Sequence, residues 1–104
     1  GVQTCALPIL IDGFISSAAA LCACKLNPEI KNYMIASHLS AEPGTEYMMK
    51  EIGITPMLNM GMRLGEGSGC PLAFQIIEAA LYTMQHMATF DDVMIASDFL
   101  VDIR

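Results

Sequence analysis

Apolar residues run along this chain in blocks, and three polar islands separate them: Asp12-Gly13, Ser37 to Gly44, and Arg63 to Gly69. Leu10-Ile11 closes an apolar run without alternation, the pattern of a strand covered on both faces, and Asp12-Gly13 falls where such a strand would end. Phe14 to Leu26 is Ala-rich and nearly free of charge, which suits a buried helix. Asn27-Pro28 stops it, because proline removes a backbone donor and clashes with the preceding turn. Tyr33 to Ala36 reads as a second short strand. Strand, helix, strand in that order predicts a β-α-β unit, its strands parallel and joined by a right-handed crossover.

The second island enters another helix, with Pro43 in the first turn and Ser40 or Ala41 near the cap, running to about Ile52 and ending at Gly53. Thr55-Pro56 opens a short apolar segment through Met62. Gly65-Glu66-Gly67-Ser68-Gly69 is a glycine-rich loop, and Pro71 begins a long helix to about Met87. Apolar positions 73, 76, 77, 80, 81, 84 and 87 recur at helical spacing, so one face of that helix must be buried. Thr89-Phe90-Asp91-Asp92 looks like a cap followed by one more short helix or an ordered tail. The expectation is an α/β, helix-rich fold with strands near 8–12 and 33–37 and helices near 14–26, 43–52 and 71–87.

Composition narrows the function. The chain has 104 residues, 54% hydrophobic and 15% charged, which is one folding unit with more apolar surface than it can cover alone. A net charge of -6 excludes a nucleic-acid backbone as partner, since that affinity comes from Lys and Arg neutralising phosphates. The longest apolar stretch, Leu10 to Cys24, contains Asp12 and Gly13 and is about five residues short of a bilayer span, so no membrane partner is expected. Cys5, Cys22, Cys24 and Cys70 have neither the C-x-x-C spacing of a zinc site nor the density of a secreted disulfide scaffold. That implies a reducing, cytoplasmic setting with no metal, and Cys22 and Cys24 read as buried small apolar side chains. The nine methionines, spread over all elements, read as adaptable core filler. Gly1 to Ile9, GVQTCALPI, resembles the translation of a common sequencing adapter, so residues 1–9 are set aside as non-native and residues 10–104 are read as part of a longer protein.

Chemistry concentrates in the islands. Loops at the carboxyl ends of parallel strands gather along one sheet edge, where ligands bind. The third island precedes a helix amino terminus, which is a ready anion site. Gly65 to Gly69 matches neither G-x-G-x-x-G nor the Walker A loop, and it can be read as a turn capped by Ser68. A carboxylate flanked by two glycines also leaves room for a ligand to approach the backbone, which a plain turn does not need. Ser37-His38 and Ser40 suggest a nucleophile and base, but adjacent residues form that hydrogen bond poorly and no orienting acid is placed. Hydroxyl and backbone donation to a phosphate or ribose is the better reading for these serines. His86, late in the last helix, has an ordinary explanation in the helix dipole.

Taken together, Ile9 to Phe14, Ser37-His38-Leu39-Ser40-Ala41-Glu42-Pro43-Gly44 and Met62-Arg63-Leu64-Gly65-Glu66-Gly67-Ser68-Gly69 resemble the nicotinate-nucleotide:dimethylbenzimidazole phosphoribosyltransferase family, in order and spacing. The resemblance extends through Glu78-Ala79-Ala80 and Met87 to Phe90, so it covers about Leu10 to Asp92. It implies the C-terminal part of a Rossmann-like, three-layer parallel-sheet domain in a cytoplasmic homodimer that needs no cofactor. It further implies transfer of phosphoribose from nicotinate mononucleotide to 5,6-dimethylbenzimidazole, giving α-ribazole 5′-phosphate and nicotinate in cobalamin assembly. By position Glu66 matches the catalytic general base. Ser40 matches the phosphate and ribose region, with Ser37 beside it, and Asp12 sits at the same cleft. Arg63, Leu64 and Gly65 match the stretch lining the base pocket, and Gly67, on the other side of Glu66, is expected to bind substrate with them. Cys70 and Phe74 depart from the family pattern, and residues 93–104 run past the shared ending. On this reading the segment by itself is inactive. A reading from another class is a non-catalytic, helix-rich interaction module whose apolar surplus docks on another chain.

Overall fold

In the computed structural model, which describes residues 7–93, the chain builds β1 (Ile9–Ile11), α1 (Phe14–Leu26), a 3-10 turn (Pro28–Tyr33), β2 (Met34–Ala36), α2 (Thr45–Ile52) and α3 (Gly69–His86). Residues 1–6 and 94–104 lie outside the description, so Cys5 and any element after Val93 do too. β1 and β2 pair in parallel, with Ile9 opposite Met34, Leu10 opposite Ile35 and Ile11 opposite Ala36. The β-α-β unit is therefore present as the periodicity predicts. Ile9, the last residue of the segment set aside on sequence grounds, is the first rung of this pairing.

A third extended segment joins the edge of β2, which the apolar stretch from Thr55 to Met62 did not announce as a strand. Met57 donates to the Ala36 carbonyl at 3.0 Å, and Leu58 to that of Ser37 at 3.2 Å. Leu39 in turn donates to the Leu58 carbonyl at 2.7 Å, and Ala41 to that of Met62 at 2.9 Å. This ladder carries the chain from the sheet edge straight into the glycine-rich loop.

The core lies between the small sheet, α1 and α2, and consists of Ile11, Ala20, Ala36, Met49 and Ile52 with Leu21, Cys24, Met34, Leu39 and Ile54 against it. α1 has the predicted boundaries but is not buried all round: only Ser17 and Ala20 are fully covered, and Ile15 is 83% exposed. Cys22 is likewise exposed and Cys24 half-buried, so the expected burial of both thiols does not hold. An apolar composition made α1 look buried, whereas the partner surface within the chain covers one side.

α2 starts later than proline placement suggested. Gly44, at φ +94°, is its cap, and Ser40 instead accepts from the Glu42 amide at 3.2 Å in a turn that precedes the helix. Thr45 locks the entry by donating its hydroxyl to the Glu42 carbonyl at 3.0 Å. α3 begins at Gly69, so Pro71 falls inside its first turn, where the missing amide is tolerated. Along α3 only Gly69 and Ala73 are buried; Phe74 is 50% and Met84 80% exposed. The burial expected of its apolar stripe is not supplied by the described residues.

Candidate functional site

The carboxyl end of β1, the first turn of α1, the Ser40–Glu42 turn and residues 63–67 enclose a cleft of about 410 Å³. That is a size suited to a small ligand. Asp12, Ser40, Arg63, Leu64, Gly65, Glu66 and Gly67 all line it, so seven of the eight residues singled out from sequence converge from three stretches of chain. Phe14, Ile15, Ser16 and Glu42 line it as well, and these were not singled out. Glu42 stood inside the second polar island, but nothing in the sequence distinguishes a carboxylate facing a cleft from one facing water. A second cleft, bordered by Lys25, Lys31 and Glu51, contains none of the predicted residues.

Ser37 is the exception. It is fully buried, and its hydroxyl donates to the Ile11 carbonyl at 2.7 Å, tying β2 to β1 rather than reaching the cleft. Side chains alternate along a strand, so a residue one place past β2 points away from the face that Ser40 reaches. His38 beside it is buried too, with Nδ1 3.2 Å from the Ser37 oxygen and 3.8 Å from Asp12 Oδ1. Ser37 gives its single proton to Ile11, so a bond between Ser37 and His38 is donated by the ring. His38 Nε2 has no hydrogen-bond partner among the described residues. Neither residue is placed to act on a ligand as a nucleophile.

The glycine-rich loop has an unusual backbone. Gly65, Glu66 and Gly67 adopt φ of +74°, +55° and +76° in succession, and Glu66 is the non-glycine residue with positive φ among the described residues. Left-handed backbone costs a residue with a Cβ about 1–2 kcal/mol. Asp12 offsets this: its Oδ2 accepts the Gly67 amide and its Oδ1 the Gly69 amide, both at 2.9 Å. Hydrogen bonds to a charged group contribute about 1.5–3 kcal/mol each, so the clamp outweighs the strain. Asp12 thereby occupies the amino terminus of α3, which was expected to be an open anion site. The alternative reading of the loop as a turn capped by Ser68 does not hold, because the Ser68 hydroxyl makes no capping bond.

An open helix amino terminus exists elsewhere. α1 has no acidic residue in its first turn and no side-chain cap, and Ser17 is the first of its amides bonded within the helix, to Gly13 at 2.9 Å. The preceding amides, on cleft-lining residues, have no hydrogen-bond partner among the described residues and can take an anion. Arg63 adds a cation to the same cleft, and Glu66 presents a carboxylate at its exposed rim. Outside the cleft lining, at the start of α3, burial raises the Cys70 thiol above its ordinary pKa, the negative charge of Asp12 adds to the rise, and the nearby Ser37 hydroxyl partly opposes it. That thiol is therefore protonated at neutral pH and no nucleophile. No cluster of metal-binding side chains occurs among the described residues, and no helix among them is long and apolar enough to cross a membrane.

The chain is similar to known proteins in sequence and in fold. The sequence profile of the DBI_PRT family, described as Phosphoribosyltransferase, matches residues 1–95. A relative from Clostridium tetani, named nicotinate-nucleotide–dimethylbenzimidazole phosphoribosyltransferase, is 60% identical over 99 residues, or 94% of this chain and 27% of the relative. One of the same name from Escherichia coli O157:H7 is 55% identical over 87 residues, covering 84% of this chain and 24% of its own. The crystal structure of the enzyme of that name from Thermus thermophilus is similar with a TM-score of 0.77 and 39% identity, over 86% of this chain and 27% of that one. The chain thus spans about a quarter of the length of the relatives it matches.

Proposed function

The chain belongs to the DBI_PRT phosphoribosyltransferase family, and on that premise we propose that its cleft is the nucleotide end of an active site moving phosphoribose from nicotinate mononucleotide to 5,6-dimethylbenzimidazole. The observation that carries this reading is Glu66, an exposed carboxylate held in left-handed backbone between two glycines at the rim of a cleft with a cation and free helix amides. Strained backbone of this kind persists only where surrounding structure enforces it, and it clusters at functional sites.

The chemistry uses each part. The phosphate of nicotinate mononucleotide is taken by the first-turn amides of α1, with Ser40 and Arg63 nearby. One nitrogen of the benzimidazole attacks C1′ with inversion, and the bond to nicotinate breaks with its electron pair, which neutralises the pyridinium. The other nitrogen loses its proton to Glu66. Building positive charge on the ribose is stabilised by the Glu66 and Glu42 carboxylates, and Leu64 and the glycines leave a narrow apolar slot for the base. No cofactor or metal enters this scheme. The whole enzyme acts in the cytoplasm as a homodimer, without nucleic acid or membrane, and the rest of its chain completes the pocket.

The test is direct. Full-length enzyme carrying this segment, given nicotinate mononucleotide and 5,6-dimethylbenzimidazole, should release nicotinate and α-ribazole 5′-phosphate in equal amounts by chromatography. Nicotinate release without the ribazole product, or no reaction, would contradict the transferase reading.

A further inference from the structure

Asp12 lies under the glycine-rich loop, 8% exposed, and both of its oxygens are engaged by that loop. Its partners at Gly67 and Gly69 bracket Ser68, so one carboxylate fixes the peptide immediately after Glu66. Behind it Ser37 is anchored to Ile11 and the His38 ring stands 3.8 Å from Asp12 Oδ1. Gly69 approaches so closely that a Cβ there would lie 2.1 Å from His38 Nδ1 and 2.8 Å from the Ser37 oxygen. Loop, carboxylate and ring form one packed stack in which no member can shift alone.

We infer that Asp12 is the positioning residue for Glu66, acting through the loop rather than on the substrate, with Ser37 and His38 as the support that keeps its carboxylate aimed. The inference rests on Glu66 being the general base. Asp12→Asn keeps the size but replaces one acceptor oxygen with an amide donor, which must then face the amide of Gly67 or Gly69. The loop swings, and Glu66 leaves the benzimidazole proton.

Kinetics of Asp12→Asn, Glu66→Gln and the double variant in the full-length enzyme test this. For Asp12→Asn alone, kcat should fall by about 10²-fold, the loss that a displacement of about 1 Å can cause. KM for nicotinate mononucleotide should stay unchanged. In the Glu66→Gln background the same substitution should cost little more, because a residue acting through another loses its effect once that other is gone. Losses that multiply, or a raised KM with normal kcat, would overturn the positioning role while leaving the base assignment standing. Wild-type turnover in Glu66→Gln alone would remove the base assignment, and the inference with it. Should Asp12→Asn fail to fold, amide hydrogen exchange on the unmutated enzyme decides. Gly67 and Gly69 should exchange slowly although Gly67 is exposed, and exchange at the rate of a free loop would overturn the clamp.

Discussion

At Gly69 and Gly67 the same residue type is required for two different reasons. Gly69 has no room, since an added Cβ would meet His38 and Ser37, whereas Gly67 has open space but a φ of +76°. Gly69→Ala should therefore cost about 1–3 kcal/mol through overpacking, seen as a lowered urea midpoint. Gly67→Ala should cost about 1–2 kcal/mol through backbone strain alone. Combined with His38→Ala, which removes the ring, Gly69→Ala should lose part of its penalty while Gly67→Ala keeps all of its own. Additive midpoints for the Gly69 pair would contradict the steric explanation. The glycines flanking Glu66 pointed to open backbone there, while the role assigned to its carboxylate came from the family resemblance alone. The task of Asp12 was not legible, because its partners lie 55 and 57 residues away and no local pattern links them. Ser37 misled for a related reason: a serine beside a strand end looks the same in sequence whether it faces the cleft or the sheet.

Among the elements, the ends of helices were easier to read than their faces. Asn27-Pro28 and Gly53 stop α1 and α2 where their residue types require, since proline geometry and a left-handed cap act locally. The apolar stripe of α3 was legible as a stripe, but a stripe does not say which chain covers it. Beyond α3 the structure shows a reciprocal cap: the Thr89 amide donates to Asp92 Oδ2 at 2.7 Å, and the Asp92 amide donates to the Thr89 hydroxyl at 3.1 Å. The Thr89 backbone and then its hydroxyl hold the Asp92 carboxyl below its ordinary 3.8. A carboxyl with a depressed folded pKa contributes stability that is present above the unfolded value and lost as pH falls through the folded one. The cap should therefore loosen only in acid, below about pH 3.8. Carboxyl NMR titration of Thr89→Ala should show Asp92 moved partly back up, since the backbone donor remains, and an unchanged midpoint would contradict the assignment. Lys25 likewise holds Glu51 below its ordinary value through a hydrogen bond and its charge, linking α1 to α2 with the same acid sensitivity.

For the molecule as a whole, the class was readable because apolar blocks ending in polar islands predict a strand-helix-strand unit, which is present, and a cleft lies at the edge where the islands gather. The covering of its faces was not, because Phe74, Leu81, Tyr82, Met84 and Met87 stay exposed along and just past α3. An apolar band of that kind marks a surface made to be covered. The 104-residue polypeptide on its own should accordingly be inactive and self-associate at micromolar concentration, and a monomer unfolding cooperatively in sedimentation and calorimetry would contradict this. Within the full-length enzyme, everything proposed for the reaction turns on Glu66 accepting the benzimidazole proton. Steady-state kinetics with parallel thermal melting on Glu66→Gln, beside Ser40→Ala, decides this, because glutamine keeps the size and removes the proton acceptor. Glu66→Gln should lower kcat by about 10²- to 10⁴-fold, with KM for nicotinate mononucleotide and melting temperature little changed. Ser40→Ala should instead raise that KM. Wild-type kcat in Glu66→Gln, or a fall in melting temperature matching the activity lost, would contradict the general-base role.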